Sequence, residues 1–169
     1  MAIIDELRSA FMGVLETTDF SSAFPGGYSG AKGVLVIPGW PYDVIDNMQA
    51  STNGQMTKPI IAVVPIDTIE ADRTLGDQFG PGAGGTTQYA IRIEVPLLVG
   101  CWADQYVGGE DMTEKLAGIV LSTFFINRTV GAAFRHARAT STHQAYMDRP
   151  QLWRADVTVR GDALITYSA

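Results

Sequence analysis

Apolar residues open the chain at the spacing of one helical face: Ile3, Ile4, Leu7, Ala10, Phe11, Val14 and Leu15, with Asp5, Glu6, Arg8 and Glu16 falling elsewhere. This predicts an amphipathic helix that stops near Thr17, where Thr-Thr-Asp, Ser-Ser and Pro25-Gly26-Gly27 are poor continuers. The apolar run 33–37, closed by Pro38-Gly39, predicts a short buried strand. Residues 40–59 are polar and patternless, with an Asn53-Gly54 turn signal and a Trp40-Pro41-Tyr42 start expected to pack locally. Residues 60–71 predict a second strand, in which Pro65 points to an edge position or a bulge. After a Gly-rich connection over 76–88, a long strand places Tyr89, Ile91, Ile93, Val95, Leu97 and Val99 on one face and Arg92 and Glu94 on the other. The two strands and their connection form a hairpin with a mobile tip.

A second helix is expected over 110–127, buried through Met112, Leu116, Ile119, Val120, Thr123 and Phe124, with Glu110, Asp111 and Glu114 near its positive end. A strand follows around 134–140. The last one alternates Trp153, Ala155, Val157 and Val159 with Arg154, Asp156, Thr158 and Arg160, so one face is expected in the core and the other charged. Residues 163–167 continue it past a turn or bulge at Gly161-Asp162. The order implies an α+β fold: one domain over 1–169, a mainly antiparallel sheet, and two helices packed on one face.

Composition supports a packed core, with 46% hydrophobic and 18% charged residues. Cys101 is the sole cysteine, which leaves no disulfide framework or cysteine zinc site and reads as a small buried hydrophobe. Asp5 and Glu6 stand where a secretion signal would carry positive charge, and no window approaches a membrane span, so a cytoplasmic site of synthesis with no membrane partner is expected.

Charge adds an asymmetry. The net value is −6, which disfavours a general nucleic-acid surface. Up to Phe124 there are six basic and fifteen acidic residues; from Phe125 onward six arginines face only Asp148, Asp156 and Asp162. A chain with one acidic and one basic part can attract its own copies head to side, which is one physical route to a ring; the alternative is that these arginines are solvated faces of strands. Arg154 and Arg160, on the expected charged face, are therefore candidate subunit contacts, joined by Gly80, Gly82 and Gly84 of the hairpin tip.

No candidate catalytic, cofactor-binding or metal-binding residue survives its structural alternative. The glycines at 80, 82, 84 and 85 lack a following Lys-Ser or Lys-Thr and lead into a strand, where a phosphate site needs a helix N-terminus. Gly27-Tyr28-Ser29-Gly30-Ala31 lacks the second glycine of a nucleophile elbow and precedes a strand. His136 and His143 are seven residues apart, without ligand-aligning spacing. Asp67, Glu70 and Asp72 border a hairpin, Glu110 and Asp111 cap a helix, and Asn127-Arg128-Thr129 needs secretion to be glycosylated.

The opening helix IIDELRSAFMGVL, the hairpin IIAVVPIDTIEADR…QYAIRIEVPLLVGCWAD, the helix EDMTEKLAGIVLSTFF and the closing WRADVTVRGDALITY together resemble the tail terminator, or tail completion, proteins of long-tailed bacteriophages. The resemblance covers most of the chain and rests on element order and texture, with the 40–59 segment and the Gly-rich tip as departures. It implies a non-enzymatic virion protein without cofactor: a helix, three antiparallel strands, a second helix and a final strand, assembled as a hexameric ring. Such a ring sits at the tail–head junction, ends growth of the tail tube, touches the tail tube protein and a neck or head-completion protein, and meets DNA only as passing cargo. Assembly would take place in the host bacterial cytoplasm. A neck or head-completion connector of the same virion is the nearest alternative, and a small cytosolic enzyme the more distant one.

Overall fold

The computed structural model describes residues 2–26, 33–66, 70–71, 77–81, 87–126, 134–142 and 145–168. In chain order the elements are helix α1 (Ala2–Glu16), strand β1 (Leu35–Pro38), helix α2 (Tyr42–Ser51), and strands β2 (Ile60–Pro65), β3 (Glu70–Ala71), β4 (Asp77–Pro81) and β5 (Thr87–Asp104). Helix α3 (Gly109–Ile126) and strands β6 (Phe134–Thr142), β7 (Tyr146–Arg149) and β8 (Leu152–Ser168) follow. Short 3₁₀ turns at Ser21–Ala23 and Gln105–Val107 end the first helix's exit and precede α3.

The strands form one mixed sheet with the path β1-β2-β5-β8-β6; β3 and β4 also pair with β5, and β7 with β8. Its spine is the antiparallel β5–β8 pair, in unbroken register from Gln88↔Ser168 to Asp104↔Leu152. Strand β8 therefore runs straight through Gly161-Asp162, which pair with Val95 and Glu94, and the expected turn there is absent. The irregularity falls on β6, whose register against β8 shifts between Phe134 and His136. A flanking strand can take up an extra residue without disturbing the central pair.

Two further expectations change. Strand β1 pairs parallel to β2, from Leu35↔Ile60 to Pro38↔Val63, so the sheet is mixed, and β1 is a half-exposed edge rather than a buried strand. Parallel neighbours need a crossover, commonly helical, and residues 40–59 supply it as α2. No Ser, Thr or Asp N-cap announces α2: Pro41 holds that position and makes no side-chain cap. The signal that existed was Val44, Ile45 and Met48, which turn toward the core at helical spacing. Asn53 and Gly54, at φ of +56° and +86°, end the helix, and the Gly54 N–H donates to the Gln49 carbonyl at 2.7 Å. Pro65 is in the interior strand β2, but at its last residue, beyond Pro38 where β1 has stopped.

Alternation along β5 and β8 separates the two faces of the sheet. Leu97, Val99 and Cys101 share one with Ala155, Val157 and Val159, all fully buried. Helices α1 and α3 cover this face: Phe11 meets Phe124 with ring centroids 5.0 Å apart, and the Trp153 indole lies against Gly109. Trp102, Arg154 and Asp156 fall on the other face, under the segment that contains α2.

Gly100 is opposite Asp156 and two residues before Trp102. The six-membered ring of the Trp102 indole occupies the place where a Cβ on Gly100 would stand. Gly100→Ala should thus overpack the sheet and cost about 1–3 kcal/mol in guanidinium unfolding. Gly118→Ala, on an exposed turn of α3 with nothing near its absent Cβ, should instead stabilise by about 1 kcal/mol. Equal effects at the two positions would contradict this packing.

Candidate functional site

Among the described residues, a dense group of polar and aromatic side chains lies on the α2 side of the sheet and centres on Arg154. Register places Trp102 beside Arg154 on β5 and Tyr146 beside it on β7. Trp40, carried in from the loop after β1, completes three walls. The guanidinium carbon stands 4.9 Å from the Trp40 and Trp102 ring centres and 5.7 Å from that of Tyr146. Trp40 meets Trp102 edge-on and stacks on Tyr42 at 6.1 Å. An arginine walled by aromatic faces gains cation–π attraction while its stem is taken out of water.

Two carboxylates close the cage. Arg154 Nε donates to Asp156 Oδ1 at 2.7 Å, and Nη1 lies 3.6 Å from Asp148 Oδ1. Tyr42 donates its hydroxyl to Asp148 at 3.0 Å, and Tyr146 donates to Asp156 at 3.3 Å. One layer out, Arg149 covers the Tyr42 ring at 4.2 Å and pairs with Asp46 of α2 at 3.0 Å. At the other end of the same segment, the Met56 N–H donates to Asp104 Oδ2 at 2.6 Å, while Asp104 Oδ1 accepts from the N–H groups of Tyr106 and Val107. Residues 40–56 are thereby tied at both ends to β5, β7 and β8.

Burial pushes the Tyr146 hydroxyl up to about 12, with the Asp156 charge adding to it, and burial followed by Asp148 raises Tyr42. Both phenols stay protonated at neutral pH and act as donors to carboxylates already engaged with Arg154. Burial works against the Arg154 cation, but its hydrogen bond to Asp156 and that carboxylate's charge outweigh the loss and raise it overall. The arrangement performs a clamp's chemistry, satisfying every charge internally. Cys101 lies on the opposite face, buried, its thiol pushed upward by burial and then by the Asp156 charge; a protonated, enclosed thiol is unreactive.

Of the residues singled out from the sequence, those that are described are dispersed over the sheet. Arg154 was expected on a charged outer face, yet it is 8% exposed; the aromatic residues of the 40–59 segment and of β7 cover it, which strand alternation alone cannot reveal. Arg160 is half-buried on β8, opposite Pro96 and Arg138. Gly80 lies in β4, while Gly82 and Gly84 fall outside the described residues, as do Ser29, His143, Asp67, Asp72 and Asn127. His136 is on β6 in register with Asp162, and Glu70 on β3 with Glu94. Asp111 pairs with Lys115 at 2.5 Å on the surface of α3. Among the described residues no three of His, Cys, Asp and Glu gather as metal ligands, and no helix is long and apolar enough to cross a membrane.

Two open grooves adjoin α1. One, of about 880 Å³, separates its C-terminal turn from α3 and is lined by Val14, Thr17, Thr18, Lys115, Gly118 and Ile119 among others. The Thr17, Thr18 and Ser122 hydroxyls lining it donate to carbonyls of their own helices. The second, of about 480 Å³, runs beside β1 with Leu15, Phe20 and Phe24 along it and Glu16 and Asp19 at its rim. The Ser21 backbone N–H holds the Asp19 carboxyl below the usual carboxylate range.

Arg154→Met should cost about 3–5 kcal/mol in denaturant unfolding at neutral pH, because it leaves Asp148 and Asp156 covered without their cation. Adding Asp148→Asn and Asp156→Asn should recover most of that loss; no recovery would mean that packing, not charge, dominates. In ultraviolet titration, Tyr146→Phe should remove a phenol that ionises near pH 12, later than free tyrosine. A folded-state value raised from 10.0 to about 12 contributes stability present below pH 10 and lost as pH climbs toward 12. Replacing Tyr146 should flatten that alkaline limb. The chain matches no protein-family model and no curated protein, so these contacts are the direct guide to what it does.

Proposed function

We propose that the chain is a non-enzymatic structural protein of a long-tailed phage virion: a tail terminator that forms a ring at the head-proximal end of the tail tube, ends tube growth and joins tail to head. The observation that carries this reading is the β5–β8 ladder. Its 17 residue pairs span roughly 55 Å, whereas the 18 residues of α3 reach about 27 Å and the 15 of α1 about 22 Å. Neither helix can cover the ladder's length.

The far half of the ladder pairs Tyr89 with Tyr167, Ile91 with Ile165 and Ile93 with Ala163. A strand pair longer than either helix, apolar at alternate positions of its far half and polar between them, suits a protomer whose neighbours complete its packing, as in a closed homo-oligomer. The order α1, the antiparallel run from β2 to β5, then α3 and β8 supports the same reading. The Arg154 cluster fits it too, since a clamp that spends its charges internally stiffens a subunit and leaves no group poised to react.

Electron microscopy of the purified chain should show closed rings, with six subunits expected by the resemblance. Rings added to polymerising tail tube protein should cap the tubes and shorten them. Monomers at every concentration would refute the ring. Rings that ignore tube ends but bind a head connector would assign the chain to the neck.

A further inference from the structure

We infer that neighbouring copies join by sheet continuation, the β1 edge of one copy pairing antiparallel with the β6 edge of the next; this rests on the ring reading and names its joint. The two strands end the sheet path among the described residues. Strand β1 is parallel to β2, and each later step, β2 to β5, β5 to β8 and β8 to β6, is antiparallel. The two edges therefore run in opposite directions. A second copy set beside the first in the same orientation presents its β6 antiparallel to β1, the more favourable pairing.

The edges are also displaced along the strands. Through the registers, β1 lies level with Val99 to Trp102 of β5, and β6 with Ile93 to Val99. Joining them offsets successive copies by roughly 15 Å along the strand direction. A sheet closes on itself only when its strands carry such a stagger, so the joint favours a closed ring over a flat ribbon.

Backbone groups and charge complete the match. The Leu35 N–H donates to the Pro59 carbonyl at 3.0 Å and the Gly39 N–H to Val63 at 2.9 Å. The two-residue period of a parallel ladder turns Leu35, Ile37 and Gly39 toward β2 and residues 34, 36 and 38 outward. Pro38 has no N–H, which leaves Val36 as the outward donor within β1. Beside this edge runs the groove with apolar Leu15, Phe20 and Phe24 and acidic Glu16 and Asp19; among the described residues, Lys58 brings a cation near it, its Nζ close to Gly33 before the strand's start. Strand β6 carries Arg135, His136 and Arg138 and no acidic residue. An acidic-rimmed apolar edge thus has a basic strand of the same chain as its complement.

Val36→Pro tests the joint, because it deletes an outward N–H at an edge position that tolerates proline and keeps the donors facing β2. By analytical ultracentrifugation, it should raise the protein concentration needed for rings by roughly tenfold or more, with an unchanged thermal melt. The double variants Glu16→Lys with Asp19→Lys, and Arg135→Glu with Arg138→Glu, should each weaken assembly at low salt, and their combination in one chain should restore it. This rescue remains decisive if Val36→Pro fails to fold. Rings that form in the parent and persist unchanged in the variants, or a combined variant that folds and does not recover, overturn the joint and leave the ring standing. A parent that stays monomeric overturns both.

Discussion

The pairing of β5 with β8 governs the placement of everything else in this protein. Its register aligns Cys101 with Ala155 and Val99 with Val157 on the side that α1 and α3 cover. It sets Trp102 beside Arg154 and Gly100 beside Asp156 on the other side. A slip of one residue would send every one of these side chains to the wrong face, placing a guanidinium in the Phe11–Phe124 core and a valine inside the aromatic cage. The ladder also orders β2, β3 and β4 on one flank and β6 and β7 on the other.

The Arg154 cage is best understood as a consequence of the parallel β1–β2 pair. Once those strands run parallel, the chain must cross the sheet between them, and the crossing segment needs an anchor on a face that would otherwise meet water. Trp40, Tyr42 and Asp46 supply contacts from that segment, and Tyr146, Asp148, Arg149, Arg154 and Asp156 supply them from the sheet. Buried ion pairs gain little net stability against their desolvation. Their effect is directional: two carboxylates and three aromatic rings accept one guanidinium in one place. The cluster fixes where the crossing lies more than it adds to how strongly it is held.

In the proposed ring, assembly and folding would draw on the same interaction. Among the described residues the sheet path ends at β1 and β6, and strand pairing is the interaction already in use between them. Sheet continuation would extend that interaction from within a protomer to between protomers, with the charge division between the two parts of the chain biasing which edge meets which.

Much of the fold was legible in the sequence because periodicity is local. The 3.6-residue pattern of Leu7, Phe11 and Leu15, and the two-residue pattern of Trp153, Ala155, Val157 and Val159, report which side of an element is apolar before any partner is known. The burial of Cys101 followed from its character as a small hydrophobe just after a strand and beside Trp102. Tertiary structure alone decided the rest. The parallel direction of β1 and the helix over Tyr42–Ser51 depend on a crossover that short apolar spacing hints at but does not specify. The fate of Arg154 shows the reason most plainly: alternation places a residue on a face, but whether that face is wet depends on residues 114 positions earlier, at Trp40, and on strand β7 beside it. Local pattern sets the direction of a side chain, and only long-range packing determines what it meets there.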